Sequence, residues 1–399
     1  MNYLIEEDEA LKLSVFKFCF YITLGSNLVI FITQPLNITI LESLASRCFM
    51  LSNLLAFFFS IYHSLRKFIP YKTKQIVTIF FMICFSFLSY LLSNESGLYQ
   101  YIIRIWCYLA LPFYLLYVDY LKPDKRMIHT IFFVNILISI VYILLSLSKY
   151  SYMGYEKFIG TNNAWLTLGY DNPNQTAMYL VINLIVLLCS FHYVKKRSIQ
   201  LVIVLFILYI GVLLIKTSSR TCILIGAIIF FIDLIKRNFK ISKVIVIGML
   251  FLPFVFMLIY PFLYKHNLLY FFSFGGKTDY ESRSQIFQSV LNQVGSNFLF
   301  GKFGKYQLQN LHNGTLSVYA SIGLVGLVLF YIFYIRAYLK IISNGIKSKV
   351  AFISLLGLLS VFLHACTEGA FLVGGSVFAG SLSVLIYLTK FVEKGVEKN

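Results

Sequence analysis

Long apolar runs recur along this chain and constrain its fold more than any other feature. Each run has about 20 mostly apolar residues, the length that an α-helix needs to cross roughly 30 Å of hydrocarbon. Only 13% of the 399 residues are charged, whereas a soluble domain carries about 25%. We therefore predict an all-α polytopic membrane protein. It is a single membrane domain over 1–399 with about twelve transmembrane helices, near 14–33, 40–62, 75–93, 99–118, 128–147, 174–193, 199–215, 219–235, 244–263, 312–335, 350–366 and 369–389.

Basic residues between the apolar runs set the predicted orientation. Every even-numbered span is followed by Lys or Arg, for example Lys195, Lys196 and Arg197 after span 6. Such residues collect on the cytoplasmic side, so we predict a multi-pass protein of the cell membrane with both termini in the cytoplasm. In a soluble protein the net charge of +18 would favour a nucleic acid. Here we assign it to topology and anionic headgroups, and expect membrane lipids but no nucleic acid as partners.

Two connections on the predicted outer side are long. The first, 148–173, ends in Asp171-Asn172-Pro173 and leads into Asn174. The second, 264–311, is the large loop before span 10 and contains Thr278-Asp279-Tyr280-Glu281, the spacing of a helix capping box. Apolar residues at helical spacing follow, from Ile286 to Val294. This pattern predicts a short amphipathic helix of about fifteen residues lying against the outer membrane face.

Two arginines on the predicted outer side are candidates for binding phosphate. Arg283 falls near the start of the amphipathic helix, where the helix N-terminus and a guanidinium together favour an anion. An exposed loop arginine is the alternative. Arg220 follows Lys216-Thr217-Ser218-Ser219 in a linker too short to leave the membrane far. It lies at the interface, either in a cavity or as a side chain that snorkels to the headgroups.

His312 and Asn313 open span 10 directly after the large loop. A neutral imidazole at an interface can serve as general base for a hydroxyl, although a lone histidine is more often structural. His364 and Glu368 lie at the outer junction of spans 11 and 12. They either join an outward-facing cavity or form a structural turn.

Arg47 and Arg104 lie inside spans 2 and 4, in the half that is predicted to be outer. A charge inside a membrane helix costs about 2.5–3.5 kcal/mol on insertion scales. Both arginines could line a positive cavity that opens to the outside. Snorkelling, or pairing with Glu42, is the alternative.

Several enzyme classes lack their signature in this sequence. It has no GxxxxGK[ST] P-loop, which argues against an ATPase, and no HExxH, CxxC or paired-aspartate motif for a metal. Its seven cysteines fall in or beside apolar runs, and we interpret them as packing residues. We accordingly predict no metal and no cofactor.

Three segments in order resemble the bacterial O-antigen polymerase and O-antigen ligase superfamily. They are Ser218-Ser219-Arg220 at the start of a span, Ser282-Arg283 with Asn297-Phe298-Leu299-Phe300-Gly301 and Gly304 in the large loop, and His312-Asn313 followed by Gly323 and Gly326. Asp171-Asn172-Pro173-Asn174 resembles a further family feature. The resemblance covers about 170–335 and implies a GT-C-like membrane fold.

In that superfamily a glycan carried on undecaprenyl diphosphate is transferred at the outer face of the cytoplasmic membrane. The resemblance implies that Arg220 and Arg283 hold the donor diphosphate and that His312 orients or deprotonates the acceptor hydroxyl. The configuration at the anomeric carbon would invert, and the reaction would need no metal. A flippase and a chain-length regulator are the protein partners it suggests. The expected substrate-binding residues are Arg47, Arg104, Asp171, Asn174, Asn313, His364 and Glu368.

Three functions remain open from the sequence. The Ile-, Phe-, Tyr- and Lys-rich composition is typical of an AT-rich genome, and a Gram-positive bacterium has no lipid A. This favours a polymerase of O-antigen, capsular or exopolysaccharide repeat units. A ligase that attaches glycan to a lipid or protein is the alternative within the class. A lipid-linked oligosaccharide flippase or other transporter would have inverted repeats and broken spans, and we see no paired halves in the sequence.

Overall fold

The computed structural model describes residues 2–66, 69–92, 98–148, 152–153, 165–170, 172–235, 241–268, 281–294, 297–302, 311–369 and 376–392. These residues form thirteen α-helices, one 3-10 helix (Val118–Tyr120) and two short antiparallel strands, β1 (Tyr152–Met153) and β2 (Trp165–Leu166). The helices are α1 (Asn2–Thr33), α2 (Thr39–Arg66), α3 (Pro70–Leu92), α4 (Leu98–Tyr117), α5 (Lys125–Ser146), α6 (Pro173–Tyr193), α7 (Arg197–Lys216), α8 (Arg220–Ile235), α9 (Lys243–Lys265), α10 (Glu281–Val294), α11 (Gly314–Ser343), α12 (Lys349–His364) and α13 (Ser376–Leu388).

Each apolar run of the sequence contains a helix. Among the described residues, eight helices are long and apolar enough to cross a membrane, and α12 is a shorter apolar helix. Large apolar side chains cover the outside of the bundle: Ile235 is 77% exposed and Val244 78%. Such a surface suits lipid and not water. The prediction of an all-α, membrane-embedded protein is confirmed.

α6 is the central helix. In its apolar stretch 83% of the residues are buried, against 28% for α7 and for α9. Polar contacts inside the bundle fix it: Asn183 on α6 donates through Nδ2 to Oδ1 of Asn135 on α5 at 3.0 Å, and Asn135 donates to the Asn183 carbonyl at 3.2 Å. Such interhelical amide bonds hold helices together where lipid offers no hydrogen-bonding partner. The middle of α6 is therefore held at a defined place within the bundle.

The helices run alternately up and down, so the bundle has two distinct ends. We call the end with the connections 147–172 and 266–313 the loop end. The opposite end, with the connections 67–69, 118–124, 194–196, 236–242 and 344–348, is called the basic end because Lys and Arg residues are concentrated there. Most residues that the sequence analysis selects belong to the loop end.

α11 is broken at Gly323, where the backbone leaves the helical region (φ 64, ψ −168). The segment 297–302 closes the break with backbone hydrogen bonds. The N–H of Leu324 donates to the carbonyl of Phe298 at 2.8 Å. Non-helical backbone within a membrane bundle must be paired by protein in this way or line a watery cavity.

Two glycines make this contact sterically possible. A Cβ on Gly323 would lie 2.3 Å from the carbonyl oxygen of Leu299, and a Cβ on Gly301 would lie 2.6 Å from the nitrogen of Gly323. Both glycines have positive φ, 64° and 70°, a region that other residues enter only with strain. The Gly residues of the large loop and of α11 therefore form one backbone-to-backbone joint.

α10 lies where the sequence predicts an amphipathic helix, and it has fourteen residues. Its apolar face packs on α9 and the start of α11. Phe287 is 1% exposed and stacks on Tyr260 of α9 with ring centroids 4.6 Å apart, and Val290 is 2% exposed. This contact holds α10, and with it the backbone at Arg283, at the loop end. The predicted cap residue Thr278 lies outside the described residues.

Candidate active site

Glu368 joins three parts of the chain at the loop end. Its side chain is 7% exposed, and Oε1 accepts a hydrogen bond from Nδ2 of Asn174 at 2.9 Å. The same oxygen lies 3.3 Å from Nδ1 of His312. The start of α6, the residue before the cap of α11 and the turn after α12 therefore meet at one carboxylate.

The start of α6 is built so that Asn174 can reach this carboxylate. Asn172 caps the helix: its Oδ1 accepts from the N–H of Asn174 at 2.8 Å, and Pro173 occupies the first turn. Proline is favoured there because its missing N–H would have no partner in the helix. The Asn-Pro-Asn sequence thus ends the loop and fixes the backbone of Asn174.

Asn313 holds His312 beside Glu368. It is fully buried and caps α11: Oδ1 accepts from the N–H of Leu316 at 2.8 Å. Its Nδ2 donates to the carbonyls of Pro253 in α9 at 3.1 Å and of Cys366 at 3.2 Å. With both donors and one lone pair engaged by protein, Asn313 ties α9, α11 and the end of α12 together.

His312 itself has a positive φ of 51°. A non-glycine residue pays roughly 1–2 kcal/mol for this conformation, and the cap at Asn313 supplies compensating bonds. The imidazole is 22% exposed and faces the carboxylate through Nδ1. In the tautomer that carries its proton on Nδ1, the ring donates to Glu368 through this nitrogen.

Arg220 begins α8 next to the same site. Its neighbour Thr221 makes a hydroxyl–hydroxyl hydrogen bond of 2.9 Å with Thr367, and Thr367 directly precedes Glu368. A tight turn places it there: Thr217 is buried, its Oγ1 accepts from the N–H of Ser219 at 3.3 Å, and Ser218 has φ 52°. Arg220 is half-buried, and its backbone lies one residue before the contact between Thr221 and Thr367.

His364 lies one turn before Glu368 at the end of α12 and is 2% exposed. The N–H of Glu368 donates to the carbonyl of His364 at 3.0 Å, so the backbone of one residue positions the other. We call the group Asn174, Thr221, His312, Thr367 and Glu368 the Glu368 cluster.

Other predicted site residues do not fall in this cluster or cannot be placed. Arg47 is on the exposed face of α2, which it shares with Leu44 (58% exposed) and Leu51 (62%) one turn to either side. Arg47 therefore lies on an exposed, largely apolar face of α2. Asp171 lies outside the described residues, and so do the side chains of Arg104 and Arg283, whose backbones belong to α4 and α10.

Sequence reasoning missed two members of the cluster, Thr221 and Thr367. Both are ordinary hydroxyl residues 146 positions apart, and no local pattern marks their contact. Within the described ranges, no three His, Cys, Asp or Glu side chains are grouped so that they could hold a metal ion.

Comparisons of this chain with protein-family models, with curated proteins and with solved structures found no match. The resemblance to the O-antigen polymerase and ligase superfamily therefore depends on the motif residues themselves.

Proposed function

We propose that this protein is a membrane glycosyltransferase that polymerises oligosaccharide repeat units carried on undecaprenyl diphosphate. The observation that carries the proposal is the Glu368 cluster. It unites Asn174 and His312, two residues of the resemblance motifs, and Arg220 of a third motif begins its helix beside them. These residues are distant in sequence, and a random set of loop residues has no reason to share one carboxylate.

The chemistry follows from the arrangement. Glu368 holds Nδ1–H of His312, and Nε2 accepts the proton of the acceptor hydroxyl. The hydroxyl oxygen attacks the anomeric carbon, the bond from that carbon to the phosphate oxygen breaks, and undecaprenyl diphosphate leaves with the electron pair. Arg220 and Arg283 neutralise the charge on the leaving diphosphate. The reaction inverts the anomeric carbon and uses no metal.

The proposal includes a topology. The protein has about twelve spans in a GT-C-like arrangement, with the basic end in the cytoplasm and the loop end outside. The basic end carries exposed lysines such as Lys195, Lys196 and Lys243, as the positive-inside rule expects. The Glu368 cluster then faces the side on which lipid-linked repeat units are joined.

A test in the native host uses Arg220→Ala, Arg283→Ala and His312→Ala, with surface glycan length resolved on a gel. A polymerase leaves single repeat units in each variant, because the diphosphate grip or the base is lost. The matched controls are His266→Ala, an exposed histidine at the loop end, and Arg126→Ala, an exposed arginine at the basic end. Long surface polymer in all three site variants, at normal protein levels, refutes the proposal.

The same gel distinguishes a polymerase from a ligase. Loss of a ligase leaves long chains on the lipid carrier in place of single units. A transporter is the candidate of another class, and the break in α11 at Gly323 is a feature that transporters use. Here, however, the freed backbone groups pair with the segment 297–302 instead of facing a ligand, which favours the enzyme.

A further inference from the structure

A second polar site lies at the basic end, far along the helices from the Glu368 cluster. A cavity of about 220 Å³ is lined by the starts of α3 and the 3-10 helix and by the ends of α11 and α13. Among the described residues that line it, the charged ones are four lysines and one acid: Lys72, Lys340, Lys347, Lys390 and Asp119. The lining therefore carries excess positive charge.

Two of the lysines, Lys72 and Lys390, form ion pairs and hydrogen bonds within the chain. Nζ of Lys72 lies 2.8 Å from Oδ2 of Asp119 and donates to the carbonyl of Leu116 at 2.8 Å. Nζ of Lys390 donates to the carbonyl of Val118 at 2.8 Å and lies 3.6 Å from the other oxygen of Asp119. Asp119, the one carboxylate among the described lining residues, is thus already shared by two ammonium groups.

The other two lysines have no such partner within the described part of the chain. Lys340 lies over the ring of Tyr71, with Nζ 5.6 Å from the centroid, and Lys347 is exposed at the cavity rim. Like charges in a partly buried cavity repel one another. An anion that reaches Lys340 and Lys347 relieves this repulsion and uses their donors.

A buried hydrogen-bond acceptor in the same lining restricts which ligands fit the cavity. Gln75 is 1% exposed and donates through Nε2 to the hydroxyl of Tyr71 at 3.1 Å. Among the described residues its Oε1 has no hydrogen-bond partner. A buried acceptor without a donor costs about 1–3 kcal/mol, so the fitting ligand brings a hydroxyl group as well as negative charge.

We propose that this cavity binds a phosphate group that carries a hydroxyl donor, with Lys340 and Lys347 holding the phosphate and Gln75 accepting from the hydroxyl. The cavity lies where helices end, which is headgroup depth in a bilayer. A phosphoglycerol lipid headgroup and free hydrogen phosphate share this chemistry. The proposal does not depend on the glycosyltransferase function.

The test measures binding to the full chain with two probes. One arm reconstitutes the protein in nanodiscs of phosphatidylcholine with phosphatidylglycerol and counts retained lipids by native mass spectrometry. The other arm titrates inorganic phosphate into detergent-solubilised protein. Lys340→Gln/Lys347→Gln should weaken binding by about tenfold or more, since two charge-assisted contacts are lost. Lys347→Gln alone, at an exposed position, should give a smaller loss without affecting folding.

The matched control is Lys195→Gln/Lys196→Gln, which removes the same charge from exposed positions at the same end. Selective loss in the cavity variant for phosphatidylglycerol assigns a lipid headgroup, and selective loss for inorganic phosphate assigns the free ion. Equal losses in the two double variants, or no binding of either probe by the wild type, overturn the proposal.

One further variant tests the chain's own carboxylates. Glu393 follows the cavity residue Val392 in the sequence and lies outside the described residues. Phosphate binding that appears only in Glu393→Gln would assign the cavity to this acid and contradict the proposal. Unchanged binding in Glu393→Gln supports it.

Discussion

At the loop end Glu368 is held by an amide and an imidazole, whereas at the basic end Asp119 is held by two ammonium groups. Burial raises the pKa of Asp119, but Lys72 and Lys390 outweigh it, so the pKa lies below the ordinary value. Asp119 is therefore fixed as an anion. Glu368, by contrast, accepts from the amide of Asn174 and lies against the imidazole of His312.

The partners of a carboxylate decide whether it is a structural group or one that can assist proton transfer. Between ammonium groups, a carboxylate stabilises helix ends and stays ionised. Beside a histidine, it orients the ring and stabilises the imidazolium that forms when the ring accepts a proton. Both carboxylates connect several helices, so packing alone does not distinguish them.

The largest expected effect comes from Gly323→Ala, which breaks the loop end alone. The new Cβ meets the Leu299 carbonyl and the residue needs a positive φ, so we expect a loss of about 3 kcal/mol or more. Thermal unfolding and size-exclusion profiles in detergent measure it. Gly211→Ala and Gly248→Ala are the controls, since a Cβ there meets no atom within 4 Å among the described residues. A wild-type midpoint for Gly323→Ala contradicts the joint between α11 and 297–302.

The second prediction is that neutralising Glu368 lowers activity, whereas neutralising Asp119 lowers stability. Glu368→Gln keeps an acceptor for Asn174 but loses the charge beside His312, so glycan polymerisation should fall by about 10²–10⁴-fold with the thermal midpoint nearly unchanged. Asp119→Asn leaves two ammonium groups short of a counter-charge, which should cost about 2 kcal/mol of stability with polymerisation retained. Activity comes from the glycan gel and stability from thermal unfolding of the same preparations.

The opposite pattern would contradict these roles of Glu368 and Asp119. If Glu368→Gln unfolds the protein while polymer length is normal in the folded fraction, Glu368 is structural. If Asp119→Asn abolishes polymerisation at an unchanged midpoint, the chemistry depends on the basic end.

Sequence reasoning predicts the helices of this protein well because each depends on a local property. Twenty apolar residues form a span wherever they occur, and a capping box followed by Ile286 and Phe287 predicts α10 without knowledge of its partners. The same reasoning selected His312, Asn174 and Glu368 one by one. It could not pair them, because 194 residues separate Asn174 from Glu368 and no local pattern encodes which loops of a bundle meet.

The glycines and the buried lysines show the same limit. Gly301 and Gly323 belong to sequence motifs. Glycine is required at both positions because the two backbones contact each other in the folded protein. Lys72 and Lys390 look like topology signals, yet they share Asp119 in the folded chain. The structural roles of these glycines and lysines depend on tertiary contacts, which cannot be predicted by counting charges along the sequence.

A pH dependence of stability is expected at the basic end. Burial, followed by the charge of Lys72, lowers the pKa of Lys390 from 10.5 to about 8, although Asp119 raises it in part. Between about pH 8 and pH 10.5 the unfolded chain then binds more protons at this residue than the folded chain, so its contribution to stability rises with pH. We expect the thermal midpoint to rise more steeply between these values in the wild type than in Lys390→Met.

The slope is the readout, because Lys390→Met also loses bonds to the carbonyls of Val118 and Leu121 and will have a lower midpoint at every pH. Equal slopes in the two proteins would mean that Lys390 titrates normally. Phosphate sharpens the test. An anion in the cavity favours the charged forms of Lys390 and Lys72, so saturating phosphate should flatten the wild-type slope toward that of the variant. If the proposed anion binds there, the lysines of the basic end stabilise the fold fully only in the anion-bound state.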